Sequence, residues 1–158
     1  MLVNAALTLL CLGFLGGFLL VLSFLERPIL PIMTAPHQMR ENESDVRWTH
    51  SQLQAFVKFV GINSLMPVMF IAFIASGYQM IQHSFDVISV LIAGGVGLLF
   101  ITTCLFTSPA MRRVRDTAAY EADLETVSAA LFRMVRLHHA MFLAVIPLTL
   151  AQLFLLFV

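Results

Sequence analysis

The chain has 158 residues, of which 59% are hydrophobic and 11% charged, with nine acidic and nine basic side chains. Soluble domains carry about 25% charged residues, so this composition excludes an ordinary soluble protein and predicts one that lies in a lipid bilayer. The balanced charge also gives no case for nucleic-acid binding.

Four long runs without Asp, Glu, Lys or Arg divide the chain, and the shortest holds 22 residues. A membrane-spanning helix needs roughly 20 apolar residues, so four spans fit and little of the chain remains for a soluble domain. We predict one all-α domain over residues 1–158, an integral membrane four-helix bundle. Its spans are expected at about 2–25, 55–80, 87–108 and 137–158.

The first predicted helix runs from about Leu2 to Leu25 and carries Gly13 and Gly17 in a GxxxG spacing. This spacing lets another helix approach the backbone closely, either within the bundle or in a homo-oligomer. Three prolines between residues 28 and 36 then argue against regular helix.

The next segment, roughly 34–52, is polar and predicts a surface loop. Trp48 suits an anchor at the membrane interface. His37 and His50 are expected to be solvated rather than to act as ligands, as is usual for histidines in loops.

The second predicted helix, about Leu53 to Met80, carries Asn63 and Pro67. A proline inside a helix leaves the carbonyl four residues before it without a donor, and here that carbonyl belongs to Asn63. One position therefore presents an amide side chain and a free carbonyl at membrane depth. A neighbouring helix, water or a ligand must satisfy these groups, so helix contact and ligand binding both stay open.

The third predicted helix extends from about Val87 to Ser108 and ends before Pro109. The segment 110–126 mixes arginines with acidic residues. It predicts a loop that becomes helical from about Ala118.

The last predicted helix enters the membrane near His138. Apolar residues recur along it at alternate steps of three and four, which predicts one buried face. His138 and Gln152 are polar members of this stripe, so we expect His138 to point into the bundle and His139 to lie to one side. The full stripe is Leu124, Val127, Leu131, Met134, His138, Met141, Val145, Leu148, Gln152 and Leu155.

All nine Lys and Arg residues lie in or beside the two long connections between the helices. The N-terminus, the short connection at 79–86 and the C-terminus have none. The positive-inside rule then predicts a multi-pass protein with both termini on the non-cytoplasmic side, as expected in a bacterial inner membrane.

Five polar side chains are predicted at a similar level, at the end of the bundle that carries the basic residues. Polar and ionisable groups inside a membrane are candidates for function, although pairing at the headgroups explains such residues equally well. The five are Glu26, Asn63, Arg112, Arg136 and His138.

Several chemistries lack their sequence patterns. The chain has no Glu-x-x-His pair for a di-iron bundle site, no nucleophile elbow and no P-loop. Cys11 and Cys104 belong to no CxxC motif and are expected at different depths, so we predict neither a metal site nor a disulfide.

Four stretches of the sequence are similar to the anthrone-oxygenase-like family of small four-helix membrane proteins. The resemblance implies the same fold and a cofactor-independent oxygenase that acts on a lipophilic aromatic or quinone-like small molecule. The matching stretches are Gly16-Gly17-Phe18 with Arg27-Pro28-Ile29-Leu30, Gly61 to Pro67, Thr102 to Pro109, and Arg133 to His139.

Oxygenase chemistry of this kind needs a base that forms a carbanion or phenolate, and donors that hold the oxyanion. His138 is the natural base and Asn63 the natural donor. Arg136 or Arg112 would stabilise negative charge, and Glu26 would orient a partner. The residues expected to bind the substrate are Glu26, Arg112 and Gln152.

Two other functions stay open. The first is a non-catalytic membrane scaffold or transporter accessory protein, for which the glycines and prolines need no further explanation. The second is a haem- or quinone-binding electron carrier with His138 or His139 as axial ligand. The other histidine near a span, His83, is predicted at the opposite end, which disfavours a haem held by two histidines.

Overall fold

The structure is a computed structural model that describes residues 2–60 and 62–157, without the side chains of Pro36, Ile62 and Asn63. The described residues form seven α-helices and contain no strand, which confirms the predicted all-α class. The helices are α1 (Leu2–Glu26), α2 (Leu30–Thr34), α3 (Glu43–Val60), α4 (Ile62–Gln82), α5 (Val87–Thr102), α6 (Ser108–Asp116) and α7 (Leu124–Phe157).

Four helical segments are long and apolar enough to cross a membrane, and they confirm the predicted integral membrane bundle. α1 lies against α4 and α7, and α5 lies against the same two helices. Gly95 allows α5 to approach α7 closely, because a Cβ at this position would lie 2.5 Å from Cδ2 of Leu148. The four segments are Leu2–Thr34, Ser64–Gln82, Val87–Asp116 and Leu124–Phe157.

The stripe predicted for the last helix is the buried face of α7. His138 lies on this face, whereas the neighbouring His139 is half-buried, as expected. α7 has 34 residues. At 1.5 Å per residue it is about 50 Å long, so its first part extends beyond a hydrocarbon core of about 30 Å. The buried members of the stripe are Val127, Leu131, Met134, His138, Met141, Val145 and Gln152.

The segment predicted as a surface loop, 34–52, is largely helical. α3 begins with Glu43 and Asp45 in its first turn, where the helix dipole favours acidic side chains. Its buried residues recur every three or four positions, and the polar composition of the segment concealed this pattern. They are Val46, Thr49, His50, Leu53 and Val57.

The prolines that follow α1 interrupt the helix only partly. Two 3₁₀ turns, Arg27–Ile29 and Pro36–Gln38, flank α2. Proline is tolerated in the first turn of a helix, since its missing amide hydrogen would have no partner there. The predicted loss of regular helix after α1 is therefore wrong for Leu30–Thr34, whereas the two 3₁₀ turns agree with it.

The third membrane helix does not end before Pro109. A π-helical turn, Thr103–Thr107, follows α5, and α6 then continues to Asp116 with Pro109 in its first turn. Helix resumes at Leu124 rather than near Ala118. The non-helical segment is therefore 117–123, later in the chain than predicted. The wider π turn before α6 accommodates Pro109.

The two long connections pack against each other at the end of the bundle that carries the lysines and arginines, and we call α2, α3, α6 and the start of α7 the basic layer. The Arg47 guanidinium donates to the carbonyls of Ala119 and Ala122 at 2.7 and 2.9 Å. The Gln54 amide donates to the carbonyl of Arg115 at 2.7 Å. These bonds tie α3 to the last turn of α6 and to the segment between α6 and α7. The basic layer therefore covers the end of the bundle where the candidate site lies.

Candidate functional site

A carboxylate–histidine pair joins the end of α1 to the middle of α7. Nδ1 of His138 lies 2.5 Å from Oε1 of Glu26, across 112 positions of the chain. The side chains expose 1% and 0% of their surface respectively. Glu26 is the last residue of α1, directly before the 3₁₀ turn. His138 lies on the buried stripe of α7, which faces Glu26.

The pair leaves one nitrogen and one oxygen without a partner. Neither Nε2 of His138 nor Oε2 of Glu26 has a hydrogen-bond partner within the described part of the chain, and both atoms are buried. The tautomer of the ring sets which group donates in this contact. When Nδ1 donates to the carboxylate, Nε2 of the neutral ring presents a lone pair. A buried polar atom without a partner calls for a water or a ligand, and Nε2 is thus placed to accept a proton.

His139 lies at the edge of the pair. Its Nδ1 is 3.9 Å from Oε2 of Glu26, and it donates to the carbonyl of Val135 at 2.9 Å. The side chain is 39% exposed, so His139 lies between the interior and the surface of the bundle. Sequence reasoning placed His139 to one side correctly, but gave no signal that it approaches Glu26.

The two arginines expected at this site do not join the pair. Arg136 is two positions from His138, about 200° around the helix, and it is exposed beside Arg133 in a surface groove of about 470 Å³. Arg112 is exposed on α6 and lines a different groove. The two arginines were expected at the site because they lie at a similar level along the bundle. Their side chains, however, point away from the buried pair. The side chain of Asn63, the expected oxyanion donor, lies outside the described residues.

Gln152 belongs to a second buried polar group near the chain termini. Its amide nitrogen donates to the carbonyl of Ala5 and to Oε1 of Gln79, both at 3.0 Å. Gln152 is 14 positions after His138, about 21 Å along α7. The structure therefore places Gln152 as a contact between α1, α4 and α7 rather than beside the carboxylate–histidine pair.

His50 is a buried histidine that sequence reasoning placed in solvent. It exposes 0% of its surface, and neither ring nitrogen has a partner within the described residues. The buried stripe of α3, which packs against α6 and α7, explains this position. Burial lowers the pKa of His50 from 6.5 to about 4, because the charged ring would lose its hydration.

Acid is therefore expected to destabilise the basic layer through His50. The unfolded chain binds a proton at this residue below about pH 6.5, whereas the folded chain binds it only below about pH 4. Stability is thus fully present above pH 6.5 and falls as the pH drops from 6.5 to 4, by up to roughly 3 kcal/mol at 1.36 kcal/mol per pKa unit. Thermal unfolding in detergent at pH 7.5 and 4.5 measures this loss.

The variant His50→Leu is the matched control for this prediction. Its side chain is apolar and no hydrogen bond of the described structure is removed, so the variant should lose less stability on acidification than the wild type. Equal losses for the two proteins would assign the acid sensitivity to other groups.

No three His, Cys, Asp or Glu side chains are grouped to hold a metal ion within residues 2–60 and 62–157. Cys11 and Cys104 are both free, in agreement with the sequence prediction. Glu26 and His138 are a contacting pair of titratable side chains inside the bundle.

Comparisons with protein-family models, with curated proteins and with solved structures found no match to this chain. The resemblance to the anthrone-oxygenase-like family therefore depends on its four sequence stretches. One of these stretches, Arg133 to His139, contains His138, and another resumes at Arg27, directly after Glu26.

Proposed function

We propose that this protein is a membrane-embedded, cofactor-independent oxygenase-like enzyme for a lipophilic aromatic or quinone-like substrate. One observation carries the proposal: a fully buried carboxylate holds Nδ1 of a fully buried histidine and leaves Nε2 without a partner. A carboxylate that orients an imidazole and stabilises its protonated form is the arrangement that general-base enzymes use.

In the proposed reaction Nε2 of His138 removes a proton from the acidic methylene group of an anthrone. Glu26 stabilises the resulting imidazolium through the contact with Nδ1. The carbanion adds to molecular oxygen, which is the oxidant, and the hydroperoxide then loses water to form the carbonyl. One methylene and one O₂ give one carbonyl and one H₂O, so no metal or organic cofactor is needed for balance.

The substrate enters from the bilayer in this proposal. His138 exposes 1% of its side chain, so a neighbouring group must move before a substrate reaches Nε2. Asn63 lies in the first turn of α4, directly before the membrane span Ser64–Gln82, and is the proposed donor to the oxyanion. The proposed reaction uses neither Arg112 nor Arg136, since both side chains are exposed and neither contacts the pair.

Substrate-dependent oxygen uptake tests this function. Purified protein in phospholipid vesicles is given anthrone, and oxygen consumption and quinone formation are followed together. We expect uptake above the rate of protein-free vesicles, with one quinone formed per oxygen consumed. Uptake that equals the protein-free rate for anthrone and for hydroquinone substrates would reject the proposal.

A structural role is the competing function, and the same pair favours it. Glu26 and His138 join α1 to α7 inside the bundle, so their contact also holds two spans together. A non-catalytic membrane scaffold predicts that changes at His138 alter stability alone. The variants described in the Discussion separate the two functions.

We also propose that both chain termini face the non-cytoplasmic side. Every Lys and Arg of the chain lies in α3, in α6, in the first half of α7 or in the turns between α1 and α3. The positive-inside rule places such segments in the cytoplasm. A green fluorescent protein fused after Val158 should stay dark and an alkaline phosphatase fused there should be active. Fusions after Glu121, between α6 and α7, are the control and should give the opposite pattern. A fluorescent fusion after Val158 would contradict this orientation.

A further inference from the structure

A groove lies between α4 and the α5–α6 segment, and none of its lining residues belongs to the buried pair. Its volume is about 640 Å³, within the range of small-molecule sites. We propose that this groove binds an anionic amphiphile, with the headgroup on Arg112 and the apolar body against the paired rings of Phe70 and Phe100. The lining residues are Met66, Pro67, Phe70, Phe100, Cys104, Ser108 and Arg112.

The groove changes from apolar to polar along its length. The rings of Phe70 and Phe100 stand 6.0 Å apart, and Phe70 is exposed to the membrane. Deeper in the groove, the Met66 sulfur lies 3.8 Å from both Cys104 Sγ and Ser108 Oγ. The inner wall of the groove is therefore polarizable and largely apolar. This part of the groove suits a hydrocarbon or aromatic body.

The polar groups gather at the basic end of the groove. Ser108 and Arg112 are four positions apart on α6 and share one face of that helix. Arg112 is exposed and makes no ion pair among the described residues, and the nearby carboxylate of Asp116 is bound by Arg115 at 2.7 Å. A free guanidinium fork is suited to two oxygens of a carboxylate or phosphate.

The backbone of both walls departs from regular helix at this groove. Pro67 interrupts the hydrogen bonds of α4, and the π turn Thr103–Thr107 lies directly before α6. A π turn adds one residue, which rotates everything after it by about 100° relative to a continuous α-helix. The π turn therefore sets the face on which Ser108 and Arg112 lie, and such turns are common at functional sites.

Quenching of a tryptophan by brominated amphiphiles tests the site. Trp48 is the chain's one tryptophan, so Trp48→Phe gives a dark background and Phe100→Trp places a reporter in the groove. The protein is held in phosphatidylcholine nanodiscs at mildly alkaline pH and titrated with dibromostearate or with its neutral methyl ester. We expect quenching that saturates. The concentration that gives half of the maximum quenching should be about tenfold lower for the carboxylate than for the ester.

Matched variants assign this preference to Arg112. Arg112→Gln should abolish the difference between acid and ester, whereas Arg133→Gln, at the same end but in another groove, should keep it. A Phe106→Trp reporter, on an exposed position of the π turn outside the groove, should show unsaturable quenching without preference. If Phe100→Trp fails to fold, Phe70→Trp supplies the reporter.

A dibrominated phosphatidylglycerol arm distinguishes the sources of the anion. Stronger quenching by dibromostearate would identify the natural ligand as a single-chain carboxylate, and stronger quenching by the anionic phospholipid would identify it as a membrane lipid. Both results support the site. His138→Gln should leave quenching unchanged, so this result is independent of the proposed catalytic function. Equal quenching by the charged and neutral amphiphiles, or an unchanged preference in Arg112→Gln, overturns the proposal.

Discussion

Replacing His138 with glutamine is expected to lower substrate-dependent oxygen uptake by about 10²–10⁴-fold, the usual contribution of a general base. Glutamine keeps a polar side chain beside Glu26, but its amide cannot act as a base near neutral pH. The contact with Glu26 is made by Nδ1, whereas the proposed base is the unpartnered Nε2. We therefore expect the variant to lose the base and to keep its fold. Initial rates of oxygen uptake in vesicles measure the change, and circular dichroism confirms the folded bundle.

His139→Gln is the matched control for this variant. His139 is next in the chain, but it is 39% exposed and lies 3.9 Å from the far oxygen of Glu26. Its rate should stay within about threefold of the wild type, well below the loss expected for a general base. Equal rates for the wild type and both variants would show that His138 is not the base.

The second large effect concerns stability. His138→Leu should lower the free energy of unfolding by about 3–5 kcal/mol, because it leaves the carboxylate of Glu26 buried without its partner. Glu26→Leu should cost less, about 1–3 kcal/mol, because the group left behind is a neutral imidazole. Unfolding in mixed detergent micelles with increasing dodecyl sulfate, followed by the loss of helical signal, measures both values.

The double variant Glu26→Leu/His138→Leu isolates the interaction between the two side chains. Once both polar groups are removed, the stability should recover above that of His138→Leu, as found for buried ion pairs replaced by apolar residues. His139→Leu is the control and should change the free energy by at most about 0.5 kcal/mol. Simple addition of the two single effects would mean that Glu26 and His138 do not interact in the folded protein.

The buried face of α7 was predictable because two independent signals agree there. An uncharged run fixes the depth of the helix in the membrane, and the three–four spacing fixes which side chains turn inward. His138 obeys both signals, and the structure buries it. Glu26 was placed at the same level by its position at the end of an uncharged run, but its contact with Nδ1 depends on how α1 and α7 pack.

The basic layer was not predictable from composition. α3 is polar overall, so its hydrophobic spacing was overlooked, and His50 was placed in solvent although it packs inside the layer. The continuation past Pro109 was missed because a π turn is a backbone adjustment with no residue pattern of its own. Arg136 shows a third limit. The sequence indicates the depth of this side chain in the membrane, but whether it faces the same pocket as His138 depends on the rotation of α7 about its axis.

Proton exchange without oxygen tests the central claim most directly, because it isolates the step assigned to His138. Protein in vesicles is incubated with anthrone in D₂O under nitrogen, and deuterium in the methylene group is followed by mass spectrometry. The wild type and His139→Gln should exchange this proton faster than protein-free vesicles, and His138→Gln should match the protein-free rate. Exchange by the wild type at the protein-free rate, or by His138→Gln at the wild-type rate, would contradict the assignment of His138 as the base.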